Sequence, residues 1–470
     1  MDKKIDKKTG KKKKPKEIGK INPILYTALY AVLKPIYTLR YGITYDREVV
    51  KDIKGPAIVL ARHTGDVDHI LSAITLYPVR PTYIVSEHFI HNRSTAALVR
   101  LAHVITKKMF TPDVSTIINV IRAKKENAVI VIFPEGRQPC HGHSLPVAEG
   151  TAELIKKLGV NVYNWRADGG YLTFPKWRVK GDVRRGKIHS SIKLLMSAED
   201  VEAKTIPEIK NTVEDAIRHD DELAMAGVEY KCKDMTRGLD KIIYKCPSCL
   251  EEWNITAGEN HIRCSCGLDA TLDSKYRLHG APFERVNEWF DWQQDSINPD
   301  VEHLESRVRL GCCGADDFID PNAGEGEIYI DKNEFRLSGV MHGEAIEFTV
   351  KTEKLGAFPV APGDHFDIYH NGKLIYIYPQ PDMRVVVKWV SYLDKFNADL
   401  KKRTEEKLAA EEAKNASVTE AENEEKPVAE EAESTPVIEA ENEEKPVAEE
   451  VESTLVTEAE NEEKLAADNA

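Results

Sequence analysis

Nowhere in the 470 residues is there an apolar run of the roughly 18 residues that a membrane-spanning helix needs, which excludes a multi-span membrane protein. The chain does not open on a secretory pattern either. Ten lysines precede a segment broken at Lys34-Pro35, and no small-residue cleavage site follows. Cysteine is scarce: eight residues in a chain of this length are too few for a disulfide scaffold. Four of them gather at 246, 249, 264 and 266, which fits a reducing cytosol and one metal site. What is present suffices for a core, because 41% of the residues are hydrophobic, so a wholly disordered chain is excluded.

The formal charge of −13 is unevenly spread. Residues 1–20 carry ten lysines against three acidic side chains, +7; residues 411–470 carry 21 acidic side chains against four lysines, −17; the body between is near neutral. Such asymmetry predicts an anionic membrane or nucleic-acid surface at the head and a solvated tail. In the tail EAENEEK recurs at 420, 439 and 458, a solvating repeat with nothing to bury.

Composition divides the chain into a disordered polybasic head (1–20), amphipathic membrane-interface helices broken at Pro35 (21–45), an α/β unit (46–240), a cysteine ribbon (241–275), a helix with a small antiparallel β module (276–400) and a disordered acidic tail (401–470). In the α/β unit, the apolar runs Pro56–Ala61, Thr82–Ser86, Ala128–Phe133 and Val160–Trp165 alternate with amphipathic stretches at Asp66–Leu76, Ser94–Val104, Val114–Lys125 and Glu149–Leu158. Continuous apolar strands alternating with helices predict a mostly parallel sheet covered on both faces. Ligands bind past the carboxyl ends of such strands, so chemistry belongs in the loops that follow them. In the β module, Asn371-Gly372 marks a hairpin between Phe366–Tyr369 and Leu374–Tyr378.

The loop after the first strand reads His63-Thr64-Gly65-Asp66-Val67-Asp68. A carboxylate in the first turn of the next helix can fix one imidazole nitrogen and leave the other as a general base. The same residues have a plainer use, with Asp66 capping the helix and Asp68 complementing its dipole. A metal-hydrolase reading of HTGDVDH fails, because Thr64 and Asp66 stand where its leading histidines belong.

The third strand ends in Phe133-Pro134-Glu135-Gly136-Arg137. The conjunction of His63…Asp68 with Phe-Pro-Glu-Gly, and with Asn164–Thr173 beyond, resembles the 1-acylglycerol-3-phosphate acyltransferase family. The resemblance covers about residues 21–240. It extends to a bacterial branch with an appended cysteine ribbon and a Glu-Trp-x-x-Trp-Gln segment, here Glu288–Gln293. It implies that His63 deprotonates an acceptor hydroxyl attacking an acyl thioester, that Asp68 orients His63, and that Glu135 and Gly136 lie beside the acceptor's glycerol and phosphate. Family members place an arginine after one spacer beyond the glycine. Here that position is Gln138, with Arg137 directly after Gly136, and Arg93 and Arg166 are further candidate cations for the acceptor.

Cys246-Pro-Ser-Cys249, fourteen residues, then Cys264-Ser-Cys266 supplies four thiolates for a structural zinc, with His261 as a substitute ligand. Glu251, Glu252 and Glu259 make the ribbon acidic and argue against nucleic acid as a partner. The expected protein is a peripheral enzyme on the cytoplasmic face of the cell membrane. It transfers an acyl chain from acyl-CoA or acyl-carrier protein to a lysophospholipid, 1-acyl-sn-glycerol 3-phosphate foremost. A catalytically idle scaffold is the rival.

Overall fold

The structure is a computed structural model that describes residues 18, 20–111 and 113–424. Nearly all of the lysine head, and the tail from 425, lie outside the described residues. The chain divides into two units, Met1–Asn397 and Ala398–Ala470.

The first unit contains three sheets. A seven-stranded sheet is built from β1 (Ile43–Asp46), β2 (Ala57–Ala61), β3 (Thr82–Ser86), β4 (Ile105–Lys107), β5 (Val129–Ile132), β6 (Asn161–Asp168) and β7 (Ile188–Met196), in the order β1-β7-β6-β2-β5-β3-β4. Strands β6, β2, β5, β3 and β4 are mutually parallel; β7 runs antiparallel to β6, and β1 pairs parallel with β7. The mostly parallel α/β class is therefore as expected. The four apolar runs appear as β2, β3, β5 and β6, whereas β1, β4 and β7 were not anticipated.

β2 shows why both faces are covered. Ala57, Val59 and Ala61 enter one hydrophobic cluster with Leu71, Trp165 and Phe174, while Ile58 and Leu60 enter another with Val120, Ile155 and Val213. Adjacent residues on a strand point to opposite faces, so a strand buried throughout needs a helical layer on each side.

The segment after the head forms one helix, Pro23–Tyr41, rather than two. Asn22 caps it, Gly42 ends it in the left-handed region, and Pro35 lies inside. Contacts on both sides of the proline hold it in line. Tyr26 donates to the Ala73 carbonyl at 2.7 Å, the Tyr30 ring stacks on Tyr77 at 3.8 Å, and Tyr41 meets Phe174 edge-on. Ile24, Val32, Ile36 and Leu39 remain exposed. At 100° per residue they fall within about one third of the helix circumference, an apolar stripe facing away from the core.

β8 (Ile255–Gly258), β9 (His261–Cys264), β10 (Asp269–Leu272) and β11 (Leu278–His279) form the antiparallel sheet of the cysteine ribbon. The C-terminal module is larger than the sequence suggested. Its seven antiparallel strands are β12 (Leu304–Cys313), β13 (Ile319–Ile330), β14 (Glu334–Met341), β15 (Glu344–Lys351), β16 (Val360–Ala361), β17 (His365–His370) and β18 (Lys373–Gln380). Asn371 and Gly372 both have positive φ, the two-residue turn expected between β17 and β18. The following helix runs Val386–Glu424 and so continues beyond residue 400, where a disordered tail was expected to begin. Its lysine and glutamate pairs at i,i+4 spacing, such as Lys401–Glu405, suit a helix more than the composition alone conveys.

Candidate active site

β2 and β5 are parallel neighbours, with Leu60 opposite Ile132, so they release His63 and Glu135 at the same sheet edge. Glu135 joins the two loops. One carboxylate oxygen accepts the His63 backbone N–H at 2.7 Å, and the other accepts the Leu145 N–H at 2.7 Å. The side chain is buried, and burial pushes its carboxyl above the usual range, partly opposed by the nearby Arg62. Gly136 closes this turn at φ +71°, where a Cβ would sit 3.1 Å from the Phe110 ring.

Asp68 is the first residue of the Asp68–Leu76 helix and is buried. Its Oδ2 accepts from His63 Nδ1 at 2.9 Å and from the Thr64 N–H at 2.8 Å; its Oδ1 accepts from the Thr64 hydroxyl at 2.5 Å and the Gly65 N–H at 3.0 Å. The loop is thereby closed on a single carboxylate. That carboxylate holds a proton on Nδ1 and leaves Nε2 as the basic nitrogen. The His63 ring stacks on Phe133 at 4.1 Å and is 22% exposed, and no described residue hydrogen-bonds its Nε2. The capping use of this segment is not adopted: Val67 occupies the cap position, and Asp66 pairs with Arg178 at 3.0 Å.

Behind the histidine, Arg62 is buried and pairs with Asp221 at 3.4 Å. Asp221 also accepts from the Gly169 and Tyr171 N–H groups and from His219 Nε2. Sequence reasoning missed this support. Asp220-Asp221-Glu222 reads as ordinary helix-start charge, and nothing local reveals a partner 159 residues away.

The three candidate arginines do not converge. Arg137 is buried beside the Phe133–Gly136 turn and pairs with Asp394 of the last helix. Arg93 is largely exposed, pairs with Asp316 in the β12–β13 loop and lies over Phe318. Arg166, on β6, contacts Asp168 at 3.2 Å and His219 at 2.6 Å in a cleft shared with Asn164, His189 and Lys193. Lys176 was not singled out from sequence. Its Nζ donates to the Gln138 carbonyl at 3.3 Å and neighbours Arg137, and burial lowers its pKa.

Residues 42–165 match the family model described as Acyltransferase. This segment belongs to the acyltransferase family. Over 136 residues the chain is 25% identical to 1-acyl-sn-glycerol-3-phosphate acyltransferase of Bacillus subtilis, a match covering 29% of this chain and 66% of the relative's length. It is also similar to the crystal structure of the 1-acyl-sn-glycerophosphate acyltransferase PlsC from Thermotoga maritima, at 17% identity and a TM-score of 0.34, over 41% of this chain and 76% of that one.

Cys246, Cys249, Cys264 and Cys266 come together, with ligand atoms all within 4.8 Å of one another. The Cys246–Cys266 and Cys249–Cys264 sulfurs are 3.7 and 3.8 Å apart. Thiolates at ~2.3 Å around a tetrahedral ion stand about 3.8 Å apart, so the four sulfurs fit zinc. His261 instead pairs with Asp269 at 2.6 Å and lies outside this set. The Glu288–Gln293 segment fastens the ribbon: Trp289 Nε1 donates to the Lys245 carbonyl, and Gln293 bonds both the Tyr244 N–H and the Ile242 carbonyl.

Proposed function

We propose that the protein is a glycerolipid O-acyltransferase that moves a fatty acyl chain from acyl-CoA or acyl-carrier protein to a lysophospholipid, 1-acyl-sn-glycerol 3-phosphate foremost. The observation that carries this is the His63–Asp68 pair, fixed through Nδ1 with Nε2 left free, at a strand end in an acyltransferase-family segment. His63 Nε2 takes the proton of the acceptor hydroxyl as its oxygen attacks the thioester carbonyl, and returns it to the departing thiolate. Asp68 holds the imidazole's orientation and supports its positive charge. Glu135 positions the histidine loop, and the backbone at Gly136 adjoins the acceptor's glycerol.

Arg137, with Lys176 beside it, is the cation proposed to meet the acceptor's phosphate. Arg93 pairs with Asp316 in the β12–β13 loop and Arg166 with Asp168 on its own strand, and the proposal does not need them. Zinc in the four-cysteine cluster would be structural, since a filled thiolate shell leaves no open position. Among the described residues no helix is long and apolar enough to cross a membrane. The stripe Ile24–Leu39 next to the lysine head instead supports peripheral attachment to an anionic cytoplasmic leaflet, where clustered lysines contribute about 1 kcal/mol each at best.

A catalytically idle scaffold is the second reading, and the Asp394 carboxylate seated on Arg137 is what favours it. Thioester release by the purified protein on a panel of lysolipids separates the two. Activity is expected on a lysolipid with a phosphate monoester, and His63→Ala is expected to lower it by on the order of 10²–10⁴. An alanine variant as active as wild type refutes the base assignment, and no release on any lysolipid favours the scaffold.

A further inference from the structure

Beyond Arg137 the chain enters a loop, Cys140-His141-Gly142-His143, that the acyl-transfer reading does not use. Gly142 has φ +89°, and a Cβ there would lie 2.8 Å from the Tyr171 ring, so this turn requires glycine. It sets the two imidazoles side by side, centroids 5.1 Å apart, and His141 stacks on Phe290 of the Val286–Asp295 helix at 4.5 Å and 7°. The next residue of that helix, Asp291, faces both rings. Its Oδ1 is 3.6 Å from His141 Nε2, and its Oδ2 is 3.3 Å from His143 Nδ1.

These separations fit ligands sharing an ion. Nitrogen and oxygen donors ~2.0–2.1 Å from a tetrahedral metal stand about 3.3–3.4 Å apart. By contrast, 3.6 Å is too long for a hydrogen bond. His141 is 91% buried, its exposure being 9%, and its Nδ1 has no hydrogen-bond partner among the described residues. A buried imidazole aimed at a carboxylate without bonding it needs a partner that the protein does not supply. His143 has the complementary arrangement. Its Nε2 lies 3.1 Å from Asp220 Oδ2 and 2.8 Å from the Asn287 amide, and Asn287 and Arg285 in turn hold Asp220. A carboxylate on the outer nitrogen is how metal-bound histidines are oriented.

We propose that His141, His143 and Asp291 bind one divalent transition-metal ion of the zinc class, with a fourth coordination position open to solvent. Two imidazoles and a carboxylate suit zinc, cobalt or nickel. Asp291 and His143 are partly exposed, which gives the ion a way in. Bound there, it would pin the loop joining Arg137 to Leu145, the partner of Glu135, onto the helix whose other face holds the cysteine ribbon. The inference does not rest on the acyl-transfer reading.

The test uses the full chain, equilibrated with zinc, freed of excess and assayed for metal, then repeated with cobalt. Wild type is expected to hold about two ions per chain. Asp291→Asn and His143→Gln are expected to hold about one, and that one should disappear in the Cys246→Ser, Cys264→Ser double variant. The cobalt lost in Asp291→Asn should carry d–d absorption without a thiolate charge-transfer band. If the ribbon proves metal-free, one ion that survives the cysteine changes and is lost in Asp291→Asn still supports the site. Circular dichroism checks folding, and Asp291, 40% exposed, should tolerate the change. A metal content and cobalt spectrum unchanged by Asp291→Asn and His143→Gln overturn the proposal. In that case a proton on His143, shared between Asp220 and Asp291, is the occupant.

Discussion

His63 and Asp68 lie five residues apart and close on one another within a single turn after β2, whereas Arg137 reaches its carboxylate, Asp394, across 257 residues of chain. The proton-transfer half of the candidate site is built inside the α/β sheet. The cationic half is tied to an appended β module, through Arg137–Asp394 and Arg93–Asp316, and the module also contacts the same side of the catalytic unit through His88–Tyr376 and Lys108–Gly372. The difference implies that reaction type is a local property of this chain. On the proposed reading, which acceptor it takes would depend on how the module's carboxylates sit against the α/β unit.

The largest effect should come from breaking the local half. Asp68→Asn removes the charge that orients His63 and leaves an amide facing the Thr64 and Gly65 N–H groups. Acyl transfer is expected to fall by about 10²–10³, with the KM for acceptor little changed. A rise of the same size in KM alone would mean that Asp68 binds substrate. Glu135→Gln should cost less, about tenfold in rate and about 1–3 kcal/mol in stability, because one of two buried main-chain N–H groups loses its acceptor. Denaturant unfolding beside single-turnover rates measures both. Unchanged stability would show that Glu135 does not join the loops after β2 and β5.

The two halves also differ in how legible they were from sequence. His63, Asp68 and Glu135 could be found because their spacing after apolar strands is a local signal, and the structure brings the three together. Arg93, Arg137 and Arg166 share only a residue type, and sequence carries no sign that two of them meet carboxylates more than two hundred residues away. The same limit hid parts of the fold. β12 (LESRVRLGCC) places charge on alternate positions and β7 (IHSSIKLLM) is interrupted by His189, Ser190, Ser191 and Lys193, so they lack the continuous apolar run that marked β2 and β5. The helix at Pro23–Tyr41 was cut at its proline because tyrosine contacts to Tyr77 and Phe174 are tertiary.

Arg137→Leu tests the cationic half. If Arg137 meets the acceptor's phosphate, KM for a phosphate-bearing lysolipid should rise about tenfold, roughly 1.4 kcal/mol, while kcat and KM for a neutral lysolipid stay near wild type. Adding Asp394→Asn should recover stability, since it removes the carboxylate left without its partner, but should not recover KM. Recovery of both would make the pair a structural link and return the acceptor's cation to Lys176.

A final variant probes the module where it faces Lys176. Asp367, on β17, is buried among Lys176, His365 and Asp364, and its Oδ1 has no hydrogen bond. Burial pushes its carboxyl up to about 6, the nearby His365 and Lys176 opposing. Because the folded pKa lies above the unfolded 3.8, the folded protein binds this proton more tightly. Asp367 then costs nothing below about pH 4, and its destabilisation grows as pH rises to about 6 and levels off above, on the order of 3 kcal/mol. Asp367→Asn should therefore be more stable than wild type at pH 7 and nearly equal to it at pH 4, a difference that urea unfolding at the two values measures. Parallel profiles would mean that the carboxylate is charged and satisfied throughout. The module would then be held against the α/β unit more firmly than the contact of Asp367 Oδ1 with His365 Nε2 alone, at 3.3 Å, suggests, leaving its carboxylates less free to yield Arg137 to a substrate.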